Sequence, residues 1–219
     1  MTIATYSDLQ NAVGNWLARG DLATYIPDFI ALAEQRIFYG SDDPSFPSPP
    51  LRVRAMEQET DPTSFVTTAG NPKLALPSGF LEARAIYLNT NPPADLDFVT
   101  QKQLNADWVG AASGPPRVYT FQGNTLRFGP TPDAAYGIVL TYYGKFDPLS
   151  VTPTNWLLSN APGIYLYAAL LEAQPFIMND ERLPMWAGLL GAATRSLMQA
   201  DRQDRFGGQI TMRADCGNP

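Results

Sequence analysis

Residues 155–205 constrain the fold most, because they have the pattern of two helices joined by a short polar turn. Asn160 is placed to cap the first helix, and Pro162 is tolerated in a first turn, where its missing N–H needs no partner. Residues 164–171 are apolar or aromatic on nearly every face, so this helix must be packed on several sides. Pro175 is expected to end or kink it.

The second helix of this pair has a single apolar stripe. Residues 178–180 form the predicted turn, and Asp180 is placed to cap the helix that follows. Apolar residues then recur at helical spacing. The stripe consists of Leu183, Trp186, Leu190, Ala193 and Leu197. The two segments together predict an antiparallel helical hairpin.

Two more helices are predicted at the other end of the chain. The first spans residues 5–19, and either Thr5 with Asp8 or Ser7 with Gln10 is placed to cap it. The second spans residues 24–39, with Thr24 as its cap and Gly40 as its stop. Each has one apolar stripe and needs a partner, for which the C-terminal hairpin is the obvious choice. The predicted helical core contains Trp16, Ile30, Tyr165, Leu170, Trp186, Leu190 and Leu197.

The middle of the chain has a different pattern. Residues 41–50 carry four prolines and form a stiff linker. Short β-type runs follow, beginning with the alternating residues 51–55 and including a hairpin signal at residues 122–124. Thr100 and Gln103 form a capping box that predicts a short helix over residues 100–108. Frequent Gly and Pro between short strands favour a compact antiparallel sheet or sandwich.

These patterns predict an α+β fold in which a helical bundle is built from both chain ends around a central antiparallel β-rich insertion. The predicted helical domain comprises residues 1–40 and 151–205, and the β-rich domain comprises residues 51–150. Residues 206–219 have too little apolar content to fold alone, so we expect an extended C-terminal tail that is disordered or ordered by a partner.

Composition narrows the function. The 219-residue chain has a net charge of −6, which argues against gripping nucleic acid through its phosphates. It has no histidine, which removes the commonest general base and metal ligand, and its single cysteine, Cys216, permits no internal disulfide. The sequence shows no secretory signal and no apolar run long enough to span a bilayer. It therefore predicts a soluble protein without a membrane partner. We expect no catalytic residue, cofactor or metal.

Three short patterns suggest chemistry only weakly. The pairs Asp42/Asp43 and Asp95/Asp97 resemble the two carboxylates of glycosidases, but they lie in a linker and beside a strand, where acids are commonly solvated. Residues 207–209 match the Gly-Gly-Gln tripeptide of release factors without the basic surroundings such factors need. A binding module for carbohydrate or a receptor, built on the β-rich region, remains an alternative to a structural role.

The C-terminal hairpin also carries a resemblance. Its shared positions are Trp156, Leu157, Asn160, Tyr165, Tyr167, Leu170, Leu171, Glu172, Ala173, Asp180, Glu181 and Trp186. At these positions the chain resembles the head-to-tail adaptors, or connectors, of short-tailed bacteriophages, of the tail tubular protein A kind. The likeness extends to residues 5–39, 51–56 and 113–130.

The resemblance implies a structural protein of the virion neck, assembled in the host cytoplasm. It implies a homo-oligomeric ring of about twelve copies, a dodecamer below the portal protein. Double-stranded DNA would pass through the ring without specific binding during genome ejection, and the nozzle or next tail protein would attach to it. Because the C-terminal end of such adaptors reaches the portal, Ile210, Met212 and Arg213 become the candidate portal-binding residues.

Overall fold

A computed structural model of the chain describes residues 3–177 and 181–205. Within them the helices are α1 (Tyr6–Leu17), α2 (Ile26–Tyr39), α3 (Gln101–Asp107), α4 (Trp156–Asn160), α5 (Pro162–Glu172), α6 (Gln174–Ile177) and α7 (Leu183–Arg205). The strands are β1 (Glu57–Glu59), β2 (Lys73–Ala75), β3 (Phe80–Leu88), β4 (Ala94–Asp95), β5 (Asp97–Phe98), β6 (Val118–Gln122), β7 (Thr125–Gly129) and β8 (Ile138–Gly144). Helices from both chain ends and central strands confirm the predicted α+β class.

The chain divides into two compact units. The helical unit is the described part of Met1–Ala55 and Asp147–Pro219, and the β unit is Met56–Phe146. In the helical unit, α5 is the central element, since α1, α2, α4 and α7 all pack against it. Seven of its eleven residues are buried, which agrees with a sequence that is apolar on nearly every side.

The β unit contains two four-stranded sheets. One has the order β1-β8-β3-β4 and the other the order β2-β7-β6-β5. All neighbours pair antiparallel except β5 and β6, which pair parallel over two residues. The unit has its own apolar core. Its buried members are Leu76, Ile86, Leu88, Leu96, Leu126, Phe128, Ile138, Leu140 and Tyr142.

Local signals explain several element ends. At α1, the Asp8 N–H donates to Thr5 Oγ1 at 3.2 Å and the Thr5 N–H donates to Asp8 Oδ2 at 3.0 Å, which confirms the capping box. Thr100 and Gln103 make the same reciprocal pair at α3. The hairpin between β6 and β7 turns at Gly123, whose φ of 59° favours glycine.

Three predicted features are wrong in detail. Thr24 does not cap α2, because the chain first forms a 3-10 helix over Gly20–Tyr25 and α2 begins at Ile26. Residues 51–55 form no strand, although Leu51 and Val53 are buried. The Leu51 N–H donates to the Ile37 carbonyl at 2.8 Å, so residues 51–53 pack against the end of α2, and Arg54–Met56 form a short 3-10 helix.

The third correction concerns the start of the C-terminal helices. Asn160 does not cap α5, whose N-cap is Ala161 without a side-chain hydrogen bond. The capping asparagine is Asn155, at the preceding helix α4: its Oδ1 accepts from the Leu158 N–H at 2.9 Å, and its Nδ2 donates to the Tyr165 hydroxyl at 2.8 Å. Asn160 instead donates to the Trp156 carbonyl at 2.8 Å and ends the short helix α4. An additional helix therefore precedes α5. Near Pro175, α5 has already ended at Glu172, and the single turn of α6 follows.

Candidate functional site

Most of the predicted helical core is buried around α5. Ile30, Tyr165, Leu170, Trp186 and Leu190 are at most 4% exposed. Burial raises the pKa of Tyr165 well above its ordinary value, although the hydrogen bond from Asn155 opposes this shift. The Tyr165 hydroxyl therefore stays protonated and serves as a structural partner for the α4 cap.

Trp16 was predicted to lie in the core, and this prediction is wrong. The Trp16 side chain is 40% exposed, because its position is at the edge of the α1 stripe. Its ring meets Tyr167 edge-on with centroids 5.8 Å apart, and its carbonyl accepts a hydrogen bond from Arg182 at 2.9 Å. Arg182 also lies 4.9 Å from the centre of the Trp186 ring. The indole of Trp16 thus covers the end of the bundle from outside.

Leu197 is only partly buried because α7 is much longer than α5. The fully buried side chains of α7 are Leu183, Trp186, Leu190 and Thr194. Its 23 residues extend over about 34 Å at 1.5 Å per residue, whereas the 11 residues of α5 extend over about 16 Å. The last turns of α7 therefore continue beyond the helix that covers its first half.

A groove with charged edges lies beside these last turns. It has a volume of about 440 Å³ and is lined by Arg54, Ala55, Trp156, Leu197, Ala200, Asp201 and Asp204. The backbone N–H of Arg54 donates to Asp201 at 2.7 Å, and Arg205 donates to the same carboxylate at 2.8 Å. Burial opposes ionisation of Asp201, but these hydrogen bonds outweigh it and lower the pKa of the carboxyl. Asp201 therefore stays charged and fixes the end of α7 to residue 54.

A partly buried ion pair joins α2 to α5. Arg36 donates through Nε to Glu172, and the two side chains are only 11% and 19% exposed. Arg36 also donates to the Phe46 carbonyl at 3.0 Å, so it holds the proline-rich linker against the bundle. Residues 36 and 172 are far apart in sequence, and no local pattern indicated this pair.

Large apolar side chains remain exposed on the outer sides of α2 and α7. On α2, Leu32 is 44% and Tyr39 is 62% exposed, and on α7, Met185 is 51% exposed. Tyr25 and Phe176 form an aromatic pair with ring centroids 5.0 Å apart, and both are more than 40% exposed. Several such side chains on one small unit are typical of a protein that assembles with others.

The β unit exposes one large aromatic side chain, which belongs to a cluster of packed aromatic rings. Phe98 is 59% exposed, with its ring centroid 5.7 Å from that of Tyr119 and 6.3 Å from that of Phe121. Phe121 in turn contacts Phe80 at 5.7 Å. These rings pack mainly on one another, and Phe98 is the member that faces outward.

The proposed portal-binding residues Ile210, Met212 and Arg213 lie outside the described residues, as do the predicted turn at residues 178–180 and the Gly-Gly-Gln tripeptide. Within residues 3–177 and 181–205, no cluster of acidic, cysteine or histidine side chains has the composition of a metal site. Over the same ranges, every helix is too short or too polar to cross a membrane.

Comparison with models of known protein families gives a match over most of the chain. The family model described as the SU10 adaptor protein matches residues 4–213, which is nearly the entire chain. The match includes both helical ends and the β unit between them. The search of curated proteins returns no significant match. On the extent of the family match, this chain belongs to the SU10 adaptor protein family, a family of bacteriophage structural adaptors.

Proposed function

We propose that this structural phage adaptor acts as the head-to-tail connector. In this role it forms a ring of about twelve copies beneath the portal protein, extends the DNA channel and provides the platform for the next tail protein. The observation that supports the proposal most is the family match over residues 4–213. The exposed apolar side chains of α2 and α7 add support, since a ring subunit needs two contact surfaces.

The charge of the chain suits a channel for double-stranded DNA. A net charge of −6 gives the assembled ring a large negative total. Phosphates would be repelled rather than held by such a protein, and DNA would pass without specific binding. An enzymatic role receives no support from the chain, because the family is structural.

The isolated chain is expected to be mainly monomeric. A ring that formed early would compete with ordered addition to a filled head, so each subunit contact should be weak and gain strength from a portal that holds neighbours close. Light scattering of the purified chain at micromolar concentration, with and without portal, measures this. A stable ring without portal would contradict the template requirement.

The C-terminal tail is expected to contribute to portal attachment. Ile210 and Met212 would fill alternate pockets while extended backbone hydrogen-bonds to the portal, and Arg213 would add a charged contact. Deleting residues 207–219 should leave the melting temperature nearly unchanged and weaken cosedimentation with portal-bearing heads. Replacing Ile210 and Met212 by serine in the full chain tests the same anchors without shortening the chain. Unchanged attachment of both variants would place the portal contact in the helical unit.

The alternative function is a carbohydrate- or receptor-binding β module of a tail structure. Phe98 is its best candidate contact, because it is the exposed member of the aromatic cluster in the β unit. Binding to a host glycan array that disappears with Phe98→Ala would favour this alternative. The adaptor function predicts no such binding.

A further inference from the structure

The outer face of α2 combines exposed apolar side chains with an acidic one. This face is formed by Asp28, Leu32, Gln35 and Tyr39, which are exposed and recur at helical spacing along α2. Asp28 makes no ion pair with any residue that the structure describes. The basic residue of α2, Arg36, is already paired with Glu172 inside the unit. The α2 outer face is therefore apolar and acidic.

The outer face of α7 has the opposite charge. It is formed by Met185, Leu189, Ala192, Arg195, Gln199 and Arg202, opposite the buried stripe. The two acidic residues of α7 form ion pairs within the unit: Asp201 pairs with Arg205, and Asp204 lies 3.5 Å from Arg54. Arg195 and Arg202 make no ion pair within residues 3–177 and 181–205. The α7 outer face is therefore apolar and basic.

Among the described residues of the helical unit, the exposed arginines that lack an ion pair all lie on α7, whereas the unpaired acids are more widely spread. In the described part of the helical unit, the exposed arginines without a partner are Arg195 and Arg202, both on α7. Unpaired acids occur at Asp28 on α2, at Asp42 just after it, and elsewhere at Asp147 and Glu181. Both helices pack on α5, so each outer face points away from the same central helix. One chain thus presents two different faces with complementary charge.

We infer that the α2 outer face of one copy binds the α7 outer face of the next copy. The inference rests on the proposed ring and identifies its subunit contact. A contact between two different faces is heterologous, and such contacts close into rings when the rotation permits. Leu32 and Tyr39 would pack against Met185 and Leu189, while Asp28 meets Arg195. A second copy of this chain is the partner that fits best, because every copy has both the acidic α2 outer face and the basic α7 outer face.

Charge reversal tests this pairing. Asp28→Arg and Arg195→Asp should each reduce ring formation on the portal roughly tenfold or more, because each places like charges in every contact. Both residues are exposed, so the melting temperature should stay close to that of the unmodified chain. Asp147→Arg is the matched control: it makes the same charge change at an exposed, unpaired acid outside both faces, and should leave the ring intact.

Mixing the two single variants gives the strongest result. In an Asp28→Arg chain, positions 28 and 195 are both basic, and in an Arg195→Asp chain they are both acidic. Each variant therefore places like charges in its own contact, whereas each complements the other. The equal mixture should therefore restore a ring in which the variants alternate, and so should the double variant by itself. The inference would be overturned if each single variant formed as much ring on the portal as the Asp147→Arg control. It would also be overturned if the equal mixture formed no more ring than the single variants.

Cysteine cross-linking separates this contact from other arrangements. In a Cys216→Ser background, Leu32→Cys with Leu189→Cys in one chain should give a ladder of oxidised oligomers on the portal, and each single cysteine should give only monomer. Dimers from Leu189→Cys alone would show an isologous contact and overturn the inference. A ring without any ladder would reject these faces while leaving the adaptor function intact. If the unmodified chain formed no ring on the portal, both this contact and the proposed adaptor function would be rejected.

Discussion

Replacing Trp186 by alanine is expected to unfold the helical unit at temperatures where the unmodified chain is folded. The Trp186 side chain is 1% exposed and lies on the inner stripe of α7, which packs on α5. Truncating a buried tryptophan costs about 3–5 kcal/mol. This is a large share of the free energy of unfolding of a typical domain, about 5–15 kcal/mol. Thermal unfolding followed by circular dichroism measures the loss.

Two variants control this experiment. Trp186→Phe keeps most of the ring volume, and the indole Nε1 that it removes has no hydrogen-bond partner among the described residues. It should therefore cost much less than Trp186→Ala. Trp156→Ala removes the same side chain from a position that is 40% exposed and should have a small effect. If Trp186→Ala shifts the melting temperature by only a degree or two, α7 does not pack as described.

Neutralising Glu172 should also destabilise the helical unit. Glu172→Gln leaves the Arg36 guanidinium, which is 11% exposed, without its counter-charge. Removing one partner of a fully buried pair costs about 3–5 kcal/mol, and because these two side chains keep some contact with water we expect a smaller loss, about 1–3 kcal/mol. Arg36 also holds the Phe46 carbonyl, so the proline-rich linker should loosen too. Chemical denaturation measures the stability, and amide exchange measures the linker.

The double variant Arg36→Met/Glu172→Met isolates the role of charge. It removes both charges together, so no unpaired charge stays buried, and its stability should exceed that of Glu172→Gln. Glu181→Gln makes the same chemical change at an exposed acid and should be neutral. A Glu172→Gln chain as stable as the Glu181→Gln control would mean that water reaches Arg36 and the pair is not a buried one.

Local signals predicted the local features of this fold. The capping boxes at Thr5 and Thr100 and the turn at Gly123 are correct because each depends on residues within four positions of one another. The apolar run of α5 correctly predicted a helix buried on several sides. These patterns were enough for the α+β class, because fold class follows from the order of helical and strand segments.

The predictions from sequence were wrong where one sequence pattern is compatible with two different local structures. Alternation over residues 51–55 predicted a strand, but the Leu51 N–H pairs with the carbonyl of Ile37 in α2 and a 3-10 helix begins at Arg54. Asn160 has the side chain of a good cap, but an unpredicted short helix, α4, ends at this residue, so Asn160 is not at the start of α5. Trp16 looked like a core residue because hydrophobic spacing does not locate the edge of a stripe. The outcome at Leu51 depended on a tertiary contact.

The candidate contact faces were beyond prediction from the sequence for the same reason. Exposed Asp28 and Arg195 look like any solvated charges until the ion pairs of Arg36 and Asp201 are known. The pair of Arg36 with Glu172 joins two helices that the bundle brings together, whereas Asp201 and Arg205 pair within one helix, α7. The sequence pattern identified the helices, whereas the unpaired charge on their outer faces emerged only from the complete set of contacts.

Electron microscopy of the purified chain mixed with its portal tests the central claim most directly. The adaptor function predicts portal particles that carry an added ring, with subunits repeating around the channel axis and a continuous central opening. Portal particles that remain bare at saturating concentrations of the chain, or that bind it at scattered positions without rotational symmetry, would contradict the proposed head-to-tail connector.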